Sequence, residues 1–187
     1  MNALVDITGI VLETDRLVLR EWQETDLKDF FEYASVDGVG QMAGWQPHKS
    51  LEESATILKM FIDGKKTFAV VLKENNKAIG SIGIEKLSTE IAGYENLVGR
   101  ELGYVLNKDY WGQGLMPEAV KTVINYCFDT IGCDYLLCSC SPVNTQSARV
   151  MEKCGFRFVM DKMRTLTDGS SRISKYHVLE NMKKQNL

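Results

Sequence analysis

The chain has 187 residues, 44% of them apolar and 25% charged. It is long enough to bury a core without staples, so one domain over residues 1–187 is expected. A net charge of −3 excludes a nucleic-acid binder dominated by a basic field, and is mildly compatible with a cationic substrate.

Residues 16–22 alternate, Leu17 and Leu19 against Arg16, Val18 and Arg20, and predict a strand. Thr25 reads as the N-cap of a helix carrying Leu27, Phe30, Phe31 and Ala34. Residues 36–49 hold three glycines and a proline and read as a loop. Ser50 to Glu53 form a capping box that opens a helix running to about Lys65. Strands at 67–73 and 77–85 flank the turn Glu74-Asn75-Asn76, whereas 87–97 has no period and reads as a loop. A strand at 101–106 leads through a glycine turn into a helix with Val120, Val123, Ile124, Cys127, Phe128 and Ile131 on its apolar stripe. Then come a strand at 134–140, a helix at 144–154, and strands at 156–165 and 172–180 joined at Asp168-Gly169. The pattern is a mixed α+β domain, one sheet with helices on its faces.

Five cysteines without a C-x-x-C pair read as reduced core residues, with a reactive thiol as the alternative. No His/Cys/Asp spacing suits a metal. Residues 1–11 lack a secretory leader pattern and no apolar run reaches the roughly 20 residues that span a bilayer. A cytoplasmic protein, with neither nucleic acid nor membrane as partner, is expected.

The most informative segment is Tyr110-Trp111-Gly112-Gln113-Gly114-Leu115-Met116-Pro117-Glu118-Ala119. Two glycines fall where a strand turns into a helix N-terminus, whose first N–H groups have no intrahelical partner and suit phosphate oxygens. A Walker A loop needs Gly-Lys-Ser/Thr, but Leu115 and Met116 follow Gly114. A Rossmann fingerprint needs a third glycine where Pro117 stands.

These residues resemble the GCN5-related N-acetyltransferase (GNAT) superfamily, which carries Q/R-x-x-G-x-G/A between its fourth strand and third helix. Trp111 takes the Gln/Arg place, Gly114 the glycine, and Met116 the final Gly/Ala place. Two positions thus depart from the consensus and resemble the RimJ/RimL branch, where W-G-x-G-(Y/L)-(A/M)-x-E-A is usual. The resemblance extends from Thr14 to Arg20, through Glu101 to Leu106, to Asn144 through Phe156, which follows N-x-x-S-x-x-x-x-x-K-x-G-F. It implies the GNAT fold: a single, mostly antiparallel, centrally splayed sheet of about seven strands with about four helices.

It also implies acetyl transfer from acetyl-CoA to a primary amine by direct attack in a ternary complex, with no metal. The coenzyme pyrophosphate would rest on Gly112, Gln113, Gly114, Leu115 and Met116. Tyr104, Val105 and Leu106 would lie along the pantetheine and acetyl group, one backbone N–H polarising the carbonyl. Asn144 would hydrogen-bond the pantetheine, or serve only as a helix N-cap. By the resemblance, Ser139 stands where some family members carry a Glu base and Met151 where many carry a Tyr acid. That leaves Glu101 as the best candidate base, against a solvated or salt-bridged strand-end carboxylate, and Ser147 as a donor to the leaving thiolate or the holder of a water, against a helix-surface hydroxyl. Trp45 and His48 lie in the loop that helps wall the acceptor pocket in the resembling branch; the first is otherwise a packing anchor, the second a solvated histidine. His177 reads as structural.

An α-amino group with pKa about 7.7–8.0 is roughly a tenth neutral at pH 7, whereas lysine at about 10.4 is only some 0.04% neutral. A site without a strong acid–base pair therefore suits a protein N-terminus, of ribosomal-protein type, or another low-pKa amine. Small amines such as antibiotics, polyamines or amino-acid derivatives stay open. So do a monomer or homodimer, and a non-catalytic acyl-CoA-binding or regulatory module.

Overall fold

The computed structural model of the protein describes residues 1–165 and 169–184. The strands are β1 (Leu12–Glu13), β2 (Leu17–Glu21), β3 (Thr67–Leu72), β4 (Lys77–Glu85), β5 (Gly99–Leu106), β6 (Tyr135–Cys140), β7 (Arg157–Thr165) and β8 (Ser171–Glu180). The helices are α1 (Leu27–Ala34), α2 (Gly40–Ala43), α3 (Leu51–Gly64), α4 (Leu115–Tyr126) and α5 (Thr145–Lys153). The strands form one open sheet in the order β1-β2-β3-β4-β5-β6-β8-β7. Neighbours pair antiparallel throughout except β5 with β6, which run parallel.

Strand alternation sorts side chains onto two faces. Leu17, Leu19, Phe68 and Val70 face one way, under the apolar stripe of α4 and Met151 of α5. Ala69 and Val71 face the other way, under Phe30, Tyr33 and Ala34 of α1 and Leu58 of α3. The sheet is therefore buried on both faces at β3, as its continuous apolar run requires. All five cysteines are free and buried, as their positions in strands and on helix stripes led us to expect.

Some local expectations need correction. β1 and α2 add to the expected seven strands and four helices, because two and four residues are too short to show a period. α2 sits inside the expected loop at 36–49 and is ended by Gly44 at φ +99°. Thr25 does not cap α1; a 3₁₀ turn over Glu24–Asp26 precedes the helix. Asp26 fixes that turn, accepting from Gln23 N–H at 2.9 Å and pairing with Arg20 at 2.7 Å. Ser50 caps α3 by accepting from Glu53 N–H, as expected. The expected join between β7 and β8 at Asp168 lies outside the described residues. Among those described, no helix is long and apolar enough to cross a membrane.

Candidate active site

The parallel pairing of β5 with β6 covers only Gly99 to Leu102 against Tyr135 to Cys138. Both strands continue past it, so they part and leave a gap in the middle of the sheet. On its other side β5 pairs with β4 in unbroken register up to Leu106. Val98 O accepts from Asp134 N–H on the β6 side, and Asn107 N–H donates to Ile79 O on the β4 side. Backbone alternation between those two points turns the N–H groups of Tyr104 and Leu106 toward the gap. The Trp111 indole holds the far end, donating from Nε1 to Leu106 O at 2.9 Å.

A cleft of about 440 Å³ runs through this gap and joins both faces of the sheet. On the α4 side, Gly112, Gly114, Leu115 and Met116 line it. Gly112 (φ +78°) and Gly114 (φ +75°) hold left-handed conformations that disfavour any side chain. An added Cβ would meet nothing within 4 Å at Gly112 and only Arg16 Nη2 at 3.7 Å at Gly114, so the cradle is open. Gly114 caps α4 without a side-chain hydrogen bond, leaving the first N–H groups for a ligand; Pro117 loses none by its ring. Beneath the turn, Glu118 accepts from Arg16 Nε at 2.8 Å and Nη2 at 2.6 Å. Arg16 Nη1 donates to Gln113 O at 3.0 Å. Arg16, just before β2, is thus tied directly to the turn and the helix start.

Asn144 lines the cleft and also caps α5, its Oδ1 accepting from Ser147 N–H at 3.0 Å. The cap role expected as the bland alternative is therefore present, and it leaves the side-chain amide nitrogen free of that bond. Ser147 Oγ lies 3.0 Å from Tyr104 OH. Burial pushes the Tyr104 phenol well above its ordinary pKa, so it remains a neutral hydrogen-bonding group. Met151, at the position where the resemblance puts a Tyr in many family members, is buried in the core.

Glu101 lines the cleft beyond the gap and is only 4% exposed. Its Oε1 accepts from Ser139 Oγ at 3.0 Å and its Oε2 from Ser88 N–H at 2.9 Å; Arg164 Nη1 stands 3.4 Å from Oε1. It is held on several sides: the salt bridge to Arg164 that the alternative reading allowed is present, and the carboxylate lines the cleft as the base candidate requires.

The cleft does not gather every residue expected there. Trp45 and His48 do not line it. Trp45 packs against Gly40, where even an added Cβ would clash with the indole ring. His48 is buried, its Nδ1 2.7 Å from Ser54 Oγ and its ring edge-on to Phe30. Both anchor the loop from below, and the same loop lends Val39, Met42 and Ala43 to the wall instead. Gln113 does not line the cleft either, its side chain donating to Asp109 O. Conversely, Gln146, Arg149 and Lys153 of α5 line it at helical spacing, a signal present in the 144–154 periodicity. Lys86 just after β4, Arg164 of β7 and Arg172 of β8 also line it, but their convergence from distant parts of the chain is revealed by no local pattern. The lining holds five cations and two carboxylates, so the local charge is opposite in sign to the chain's.

A parallel pair parting around a glycine-cradled helix start is the arrangement that the sequence resemblance implies for an acetyltransferase fold. The chain belongs to the acetyltransferase (GNAT) domain family, which matches residues 16–157. It is similar to the uncharacterized N-acetyltransferase YnaD of Bacillus subtilis, 28% identical over 146 residues, 78% of this chain and 82% of that one. Its fold resembles the ribosomal-protein-S5-alanine acetyltransferase of Vibrio fischeri (TM-score 0.70, 20% identity, 93% of this chain and 98% of that one). It also resembles the microcin C7 self-immunity acetyltransferase MccE, solved with acetyl-CoA and AMP (TM-score 0.72, 15% identity, 90% and 94%).

Proposed function

We propose that this GNAT acetyltransferase moves acetyl from acetyl-CoA to a primary amine by direct attack, both substrates meeting in the one cleft. The observation that carries this reading is the junction of the β5–β6 gap with the open cradle at Gly112 and Gly114. The solved complex of MccE with acetyl-CoA supports the choice of donor.

Acetyl-CoA supplies an activated acetyl thioester. The amides around Gly112 to Met116 are placed to hold its phosphates, with Arg149 and Lys153 adding charge from α5. The gap-facing N–H of Tyr104 is the candidate donor to the carbonyl oxygen. One such preorganised donor is worth about 3–4 kcal/mol where negative charge develops. Glu101 takes the proton of the attacking amine, directly or through one water. Ser147, tied to Tyr104, is placed to donate to the departing thiolate. Cys138 and Cys140 also line the cleft, but burial raises both thiols and makes them poor acyl carriers. That favours direct transfer over a covalent relay.

The RimJ/RimL-like letters Trp111 and Met116, together with the fold likeness to a ribosomal-protein acetyltransferase, support a low-pKa amine as acceptor, a protein N-terminus or a small molecule. The test is release of free thiol from acetyl-CoA across a panel of N-terminal peptides and small amines. Turnover on at least one α-amine, faster than on lysine side chains, is the expected outcome. Acetyl-CoA binding with no turnover on any amine would instead mark a non-catalytic binding module.

A further inference from the structure

Arg164 on β7 and Arg172 on β8 are directly opposed in the antiparallel register. Such partners project from the same face of a sheet, and like charges so placed destabilise the pair. Both line the cleft at the Glu101 end. Arg164 has compensation: Nη1 stands 3.4 Å from Glu101 Oε1 and donates to Ser139 Oγ at 2.8 Å. Arg172 forms no ion pair among the described residues. Its Nη1 and Nη2 donate to the carbonyls of Gln41 (2.9 Å) and Met42 (3.1 Å). Its Nε is buried and has no hydrogen-bond partner among the described residues.

Among the described residues, the carboxylates nearby do not relieve it. Glu85 is taken by Lys66, and Glu101 by Arg164 and two hydroxyl or amide donors. Lys86 adds a third positive group to the same stretch of lining. Two opposed guanidiniums, one with an unmet buried donor, suit a carboxylate, which accepts several charge-assisted bonds at once. Because Arg164 touches Glu101, that carboxylate would sit beside the place where the amine loses its proton.

We propose that Arg172 and Arg164 hold a carboxylate of the acceptor, which is therefore an amine bearing an acidic group close to its nitrogen. A free amino acid and a peptide with an acidic N-terminal residue both meet this description; polyamines and polycationic antibiotics do not. The inference rests on the acetyl-transfer reading above.

The test uses thiol release by the wild-type protein on matched acceptors: L-alanine against L-alaninamide, Asp-Ala-amide against Asn-Ala-amide, and spermidine. A neighbouring carboxylate raises the pKa of an amine, so preference for the acid would run against the supply of neutral amine. At least one acid should exceed its amide partner by about ten- to a hundredfold in kcat/KM, the scale of one or two charge-assisted bonds, with spermidine slowest. Arg172→Gln should pull that ratio toward one through KM, with acetyl-CoA affinity by calorimetry unchanged, and Arg172→Lys should restore part of it. Equal rates on acids and amides, faster turnover of spermidine, or an unchanged ratio in Arg172→Gln would overturn the inference while leaving acetyl transfer standing. Should no amine be acetylated, the transfer reading fails, and calorimetry of L-aspartate with the acetyl-CoA-bound protein decides: Arg172-dependent binding sustains the carboxylate site and no binding removes it.

Discussion

Ser139 Oγ donates to Glu101 Oε1 at 3.0 Å across the parallel strands β5 and β6. The resemblance to the family puts a glutamate of some members at position 139, where this chain has a serine, and a carboxylate stands beside it on the neighbouring strand. On the proposed mechanism, the proton acceptor missing at residue 139 is supplied by Glu101, one hydrogen bond away. Glu101→Gln keeps the shape and most of these contacts while removing the proton acceptor. It should lower kcat about 10²–10⁴-fold, the usual contribution of a general base, with acetyl-CoA affinity by calorimetry unchanged. Full activity in Glu101→Gln would remove Glu101 from the chemistry.

At Gly114 the backbone cost and the ligand cost separate. Any side chain there pays roughly 1–2 kcal/mol for φ +75°, and meets no backbone atom within 4 Å. Gly114→Ala should fold with a melting temperature a few degrees lower. Gly114→Glu, which also brings a negative charge to the phosphate cradle, should fold and lose acetyl-CoA binding. Retained affinity in Gly114→Glu would place the phosphates elsewhere.

Arg16 couples the first long strand to the cradle through Glu118 and Gln113 O. Its ion pair is partly exposed, so the pair alone contributes little stability. The bond to Gln113 O positions the turn itself. Arg16→Ala should therefore weaken acetyl-CoA binding several-fold by calorimetry while moving the melting temperature only slightly. A large stability loss with unchanged affinity would make the contact purely structural.

His48 is held neutral by burial, which lowers its pKa below the ordinary 6.5 against a smaller opposing pull from Glu53. The unfolded chain then binds a proton that the folded one refuses. Stability is full above about pH 6.5 and falls as pH drops through that value toward the lower folded pKa. His177 is depressed in the same direction, also chiefly by burial. Thermal melts between pH 7.5 and 5 should show a decline that shrinks in His48→Gln. An identical slope in that variant would mean that His48 does not contribute.

Much of this molecule was legible in its sequence, and the remainder has physical reasons. Alternation at Leu17 and Leu19, the stripe of α4 and the glycine turn each declare themselves within a dozen residues. The caps were less certain, because Asp26 outcompetes Thr25 by bonding Arg20 and Gln23 together. In the cleft, Gly112, Gly114, Met116, Asn144, Ser147 and Tyr104 converge because one strand and two helix starts carry them. Trp45 and His48 went beneath their loop, because large rings beside Phe30 gain more from burial than from lining a wet cleft. Arg164 and Arg172 were invisible, since their opposition depends on the register of two strands and not on any motif.

The most direct test is to incubate the wild-type protein with acetyl-CoA and an α-amine, measuring released thiol and the masses of amine and protein together. Direct transfer gives one acetylated amine per thiol, no acetylated protein, and no thiol release without the amine. Thiol release independent of amine, or a stable acetyl group on the protein, would contradict it.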